Sequence, residues 1–142
     1  MADAPAGEWR LMVDGASRGN PGEAGCGAVI YDPKGETARE LSRYLGRATN
    51  NVAEYMGLLM GLEEALRLGV KRLRVESDSE LLVRQLNGVY RVKEPRLIEL
   101  HGKAKELLRR FESHRVQHVY REENRIADKL ANRGIDEAPG KI

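Results

Sequence analysis

Cysteine is almost missing from this chain. A single copy, Cys26, among 142 residues excludes an intrachain disulfide and a cysteine-rich zinc site. It fits a reducing, intracellular setting, so the cytoplasm is the expected location. Long apolar runs are missing as well: nothing approaches the roughly 18 consecutive apolar residues of a membrane span, and no membrane partner is expected. Residues 1–8 lack the apolar core of a signal peptide. Residues 1–7, and residues 136–142 with Pro139 and Gly140, are expected to be flexible tails around one domain at 8–135. Neither sign of charge dominates, because 24 basic and 22 acidic residues leave only +2. Such a balance neither demands nor excludes a polyanionic partner, so local placement has to decide. There is no internal repeat and no low-complexity linker. The Gly-rich stretch at 15–27 has no Gly-Lys-Ser/Thr ending, and Gly25-Cys26-Gly27 lacks a third glycine, which argues against nucleotide-cofactor binding.

What remains is a globular balance, 41% hydrophobic and 32% charged, in a length that buries a core without staples. Trp9, Leu11 and Val13 alternate with Arg10, Met12 and Asp14, the period of a strand. Met12 spoils the alternation, as in a strand covered on both faces. This strand is expected to end at Asp14 and give way to a Gly-rich loop. Cys26 to Tyr31 reads as a second strand, Asp32-Pro33-Lys34-Gly35 as a turn, and Glu36 to Leu45 as the returning third strand. Thr49-Asn50-Asn51 caps a helix whose apolar residues, Val52, Tyr55, Leu58, Leu59, Leu62, Ala65 and Leu66, recur at helical spacing up to Gly69. A strand through Leu73 and Val75 leads to Ser77 and Asp78. A second helix spans Glu80 to Leu86, and a third starts at Pro95 and runs to Phe111. A fifth strand covers Val116 to Tyr120, and a last helix ends at Gly134. The order βββαβααβα predicts an α/β domain with a mixed five-stranded sheet and helices on both faces.

Four acids fall at element ends: Asp14 after strand one, Glu54 in the first turn of helix one, Asp78 after strand four, and Asp128 early in the last helix. Strands one and four become neighbours after a crossover, and sites in such sheets form beyond the carboxyl ends of strands. A carboxylate at the end of a buried strand is costly unless it is paired or holds a cation. Clustered acids stay ionised together only with cations among them, and oxygen-only ligands suit Mg²⁺ or Mn²⁺. Two such ions about 3.5–4 Å apart can activate a water and stabilise the leaving oxygen of a phosphodiester. Helix-start acids also arise from the macrodipole alone, and periodicity does not show that the four converge.

The words around these acids are more specific. Asp14-Gly15-Ala16-Ser17-Arg18-Gly19-Asn20-Pro21-Gly22, Thr49-Asn50-Asn51-Val52-Ala53-Glu54, Ser77-Asp78-Ser79, and Arg121 to Asp128 followed by Leu130-Ala131 resemble, in this order, type 1 ribonuclease H. The resemblance covers about residues 9–134. It implies the ribonuclease H-like fold and an endonuclease that hydrolyses the RNA strand of RNA/DNA hybrids, leaving 5′-phosphate and 3′-hydroxyl ends. The cofactor it implies is Mg²⁺, two ions per site, with Mn²⁺ as a substitute. Asp14 would bridge both ions, Asp128 would serve the one near the attacking water, and Glu54 and Asp78 the one near the leaving oxygen. Gly15, Ser17, Asn20, Asn50, Asn51 and Ser79 match substrate-contacting positions, and Arg47 and Thr49 match a pocket for a DNA phosphate. Small polar groups of this kind suit the shallow minor groove, where the 2′-OH distinguishes RNA. Asn20, Thr49, Asn50 and Ser79 also serve as turn or cap residues.

The chain departs from better-known members in three ways. The loop before the last helix has no histidine, and Arg121 is the expected substitute in product release. His101, His114 and His118 read as packed or edge residues. The basic, Trp-bearing protrusion is reduced to Asn87 to Arg96, and Glu80 stands where many members have glutamine, an acid that would repel phosphate. These departures resemble the compact members without the protrusion. A monomer is expected. The rival reading is a module of the same fold that binds hybrid or double-stranded RNA without cutting it; the presence of all four acids argues against that.

Overall fold

The first strand organises everything around it. In the computed structural model, which describes residues 7–139, β1 (Glu8–Gly19) lies in the middle of a sheet of order β3-β2-β1-β4-β5. β2 (Gly22–Tyr31) and β3 (Thr37–Ala48) run antiparallel to their neighbours, and β4 (Arg72–Ser77) and β5 (Ser113–His118) run parallel to β1. The helices are α1 (Asn50–Arg67), α2 (Glu80–Leu86), α3 (Pro95–Leu108) and α4 (Arg125–Asp136), with a single 3₁₀ turn at Arg121–Glu123. This is the expected mixed sheet, with helices on both faces.

The strand period sorts the core. Leu11 and Val13 face α1 and α3 in a cluster with Tyr55, Leu58, Leu62, Leu100 and Leu108. Met12 faces the opposite side with Val29, Val119, Ala127 and Leu130, under α4. Met12 is therefore apolar because α4 covers that face. Thr49 begins α1 as expected, its Oγ1 accepting from Val52 N at 3.2 Å.

Several elements end elsewhere than the sequence pattern suggests. β1 does not stop at Asp14. Its ladder to β2 continues from Asp14↔Gly27 to Gly19↔Gly22, so the expected Gly-rich loop is the far half of a long hairpin. β5 ends at His118, where its partner β4 also ends at Ser77, and Tyr120 lies outside it. α3 ends at Leu108, and Phe111 reaches the core from the turn that follows. Glu54 belongs to the second turn of α1. α4 continues past Gly134 to Asp136, and Ala138 beyond it is buried, so packing extends past residue 135. Residues 1–6 and 140–142 of the expected tails lie outside the described residues.

Candidate active site

Two features of the backbone bring the acids together. The parallel ladder between β1 and β4 runs in register from Glu8↔Arg72 to Val13↔Ser77. Asp14 and Asp78 are the next residues on each chain, at the point where the strands part. The second feature is a lack of side chains. A Cβ on Gly15 would stand 2.3 Å from Ala53 C and Glu54 N, and one on Gly57 would stand 2.7 Å from the Asp14 carbonyl oxygen. α1 therefore lies directly on β1, which carries Glu54 to the end of the strand. On the other face α4 approaches in the same way, since a Cβ on Gly27 would stand 2.5 Å from Ala127 O. That approach delivers Asp128 to Asp14.

The result is a carboxylate cluster in which oxygens of Asp14, Glu54 and Asp78 all lie within 4.8 Å of one another. Asp128 joins it by a side-chain hydrogen bond with Asp14. Burial pushes Asp14 up to about 8, reinforced by the charge of Asp78, by Asp128 and by Glu54. Burial also pushes Glu54 up to about 7; a hydrogen bond from Ser79 opposes this, and the charge of Asp78 adds to it. Asp78 is raised by burial too, while the Asn124 amide, Arg121 and His118 pull it down and Asp128 pushes it up. A divalent cation among these oxygens would replace mutual repulsion with attraction. The donor set, all hard oxygen, fits Mg²⁺ or Mn²⁺.

The other expected site residues surround this cluster with different degrees of freedom. Ser17 is occupied within the fold, donating to Ala48 O at 2.7 Å and to the Gly19 carbonyl. Gly15 serves the contact with α1, so its place in the motif has a packing reason. Exposed Asn20 uses its Oδ1 to accept from Asn50 N at 3.1 Å, tying the hairpin tip to the start of α1. Asn50 and Asn51 are exposed on that first turn. Ser79 begins α2, accepting from Leu82 N at 3.2 Å, and also bonds Glu54. Asn20, Arg47, Thr49 and Asn51 line an open cleft of about 780 Å³, with Leu45, Met56 and Arg96 among its other walls. The acids do not line that cleft. Asp128 opens instead onto a depression of about 270 Å³ with Arg121, Glu122 and Arg125.

Glu80 does not present a bare negative charge, because Arg84 pairs with it at 2.8 Å. Among the histidines, His101 bonds the Gln85 carbonyl at 3.2 Å, and His114 is an exposed residue on edge strand β5. His118 is nearer the site than an edge residue needs to be: it packs edge-on against Tyr120 with ring centroids 5.7 Å apart, and its charge acts on Asp78. The residue the sequence reading passed over is Asn124. It precedes α4, where asparagine ordinarily caps a helix, yet its side chain makes no cap bond and reaches Val13 and Asp78 instead.

Comparisons with known proteins agree with this geometry. A family described as reverse transcriptase-like matches residues 12–134. The chain is 33% identical to a ribonuclease H of Pseudomonas fluorescens, with 92% of each chain covered. It also resembles mycobacterial proteins at 45% identity, but spans only about a third of their length, 35%. Among solved structures, the ribonuclease H1 of the archaeon Halobacterium salinarum superimposes with a TM-score of 0.90 at 40% identity, covering 93% of this chain and 100% of that one. A structure of LC11-RNase H1 in complex with an RNA/DNA hybrid superimposes at 0.86 with 44% identity, covering 92% and 98%.

Proposed function

The chain belongs to the type 1 ribonuclease H family, and from that premise we propose that it is a metal-dependent endonuclease that hydrolyses the RNA strand of RNA/DNA hybrids. The observation that carries this reading is the convergence of Asp14, Glu54 and Asp78 within 4.8 Å, joined by Asp128. Asp14, Glu54 and Asp78 would hold one divalent cation, and Asp14 with Asp128 a second. Bound Mg²⁺ would supply the charge that lowers the pKa of a water and stabilises the departing 3′ oxygen, leaving 5′-phosphate and 3′-hydroxyl ends.

The chain's own residues would bind and orient the hybrid. Asn50 and Asn51, exposed on the first turn of α1 just ahead of Glu54, suit the minor groove and its 2′-OH groups. Asn20 keeps its Nδ2 available for the same surface, while Ser17 and Gly15 hold the backbone that presents them. Ser79 would orient Glu54 while facing the substrate. Arg47 and Thr49, in the cleft of about 780 Å³, would receive a phosphate of the DNA strand and fix the register of the duplex. Arg121, whose charge reaches Asp78, would draw the product phosphate away. The active unit would be a monomer.

The test is a substrate panel. Purified protein is incubated with end-labelled RNA/DNA hybrid, double-stranded RNA, single-stranded RNA and double-stranded DNA, in Mg²⁺ and in EDTA. Cutting of the hybrid in Mg²⁺ and none in EDTA is expected. Hybrid bound but never cut would replace this reading with a binding module of the same fold.

A further inference from the structure

Asn124 stands between the elements that carry the acids, and its partners account for all of its polar groups except one. Its backbone N–H donates to Arg121 O at 3.0 Å, and its carbonyl accepts from Asp128 N at 3.1 Å. Its Nδ2 donates to Val13 O at 2.9 Å, on the residue just before Asp14, and its side-chain amide lies near enough to Asp78 to favour that carboxylate's charged form. One planar group thus touches β1 and the end of β4 while its backbone starts α4. A backbone carbonyl can only accept, so the bond to Val13 fixes which end of the amide is nitrogen.

The other end is the unusual one. Oδ1 is buried and has no hydrogen-bond partner, in a residue only 1% exposed. A buried amide oxygen left unpaired is costly, and such groups in native proteins point to a water, an ion or a functional role. The same side chain acts on Asp78 of the carboxylate cluster, and a cation held there would bring a donor. Mg²⁺ dehydrates reluctantly and keeps several waters when protein carboxylates hold it, and each of those waters has protons to donate. A carboxylate that holds the cation is ionised and cannot donate to Oδ1; a water on that cation can.

We propose that Asn124 is a positioning residue of the cation centre: its Nδ2 is anchored on Val13, next to Asp14, and its Oδ1 receives a hydrogen bond from a water carried by the bound divalent cation. This rests on the reading of the acids as a cation centre. It assigns the amide oxygen to an outer coordination sphere, where loss of a partner typically costs about 10- to 100-fold in metal affinity.

The test separates the acceptor from the structural bond. Mn²⁺ alone, without nucleic acid, is titrated into the protein and followed by the electron paramagnetic resonance signal of the free ion, for the parent, Asn124→Ala and Asn124→Asp. Thermal melts in EDTA accompany each titration. Alanine removes both contacts, so it melts lower and binds Mn²⁺ about 10-fold or more weakly. Aspartate keeps an acceptor but loses the donor to Val13, so it melts lower yet binds Mn²⁺ at least as tightly as the parent. Parental affinity in the alanine variant overturns the proposal, as does an aspartate variant weaker than the parent. The second criterion stands even if the alanine variant does not fold. A parent that takes up no Mn²⁺ fails the underlying reading itself, whereas the other two results fail only the role of Asn124.

Discussion

In the absence of divalent cations, the acid cluster should make the fold less stable as pH rises. Asp14, held at about 8 against an ordinary value of 3.8, keeps its proton in the folded protein and gives it up on unfolding. A carboxyl raised in this way contributes stability that is complete at low pH and is lost as pH climbs through the folded value. Glu54, at about 7 against 4.5, acts in the same direction. At about 1.4 kcal/mol per unit, the Asp14 gap sets an upper limit of about 6 kcal/mol. Rearrangement and water entry around the ionised cluster reduce this to about 2–3 kcal/mol. For a domain of this size that is a fall in Tm of about 10 °C between pH 5 and pH 9. Asp14→Asn removes the titrating group while keeping its shape and its capacity to bond Asp128. The assay is thermal unfolding of both proteins in EDTA at pH 5, 7 and 9. The variant should melt close to the parent at pH 5 and about 10 °C above it at pH 9. Excess Mg²⁺ should raise the parent's Tm at pH 9 and leave that of the variant nearly unchanged. A parent whose Tm is flat or rising from pH 5 to 9 in EDTA would refute the assignment of a strained, proton-retaining cluster.

Three other substitutions probe the surroundings. Gly15→Ala forces a methyl group against the α1 backbone at 2.3 Å; it should cost about 1–3 kcal/mol of stability and, by moving Glu54, reduce cleavage more than hybrid binding, as read from melts beside single-turnover rates. Arg121→Ala should slow steady-state turnover while leaving the single-turnover rate within about twofold, because the side chain serves departure of product; equal loss in both would place Arg121 in the chemical step instead. Arg47→Ala should weaken hybrid binding by about 5- to 10-fold at low salt and lower the slope of log affinity against log salt by about one, measured by fluorescence anisotropy. An unchanged slope would remove Arg47 from the phosphate contact.

The order and type of the elements were legible because the hydrophobic period changes cleanly from strand to helix, as between Leu41 and Leu58, and because Thr49, Gly69 and Pro95 mark helix ends with ordinary cap chemistry. The far half of the first hairpin was not legible. Glycine there reads as loop, but Gly15, Gly25 and Gly27 are glycine because helix backbones press on strands, a contact between residues distant in sequence. Convergence of the acids was equally a matter of register, fixed by Val13↔Ser77, which no local pattern encodes. The words around Asp14, Glu54, Asp78 and Asp128 carried the site because they preserve the outcome of that packing. Asn124 shows the opposite failure. Its local signal, an asparagine just before a helix, points to a cap, and only the fold reveals that the side chain turns inward to Val13 O.

On the proposed reading, Asp14 and Asp78 hold the cation on which cleavage of the RNA strand depends. Single-turnover cleavage of an RNA/DNA hybrid in saturating Mg²⁺, compared among the parent, Asp14→Asn and Asp78→Asn with hybrid affinity measured on the same samples, tests it most directly. Each variant should lose at least about a hundredfold in rate while binding the hybrid within a few-fold of the parent. Cleavage by either variant at close to the parental rate would contradict it.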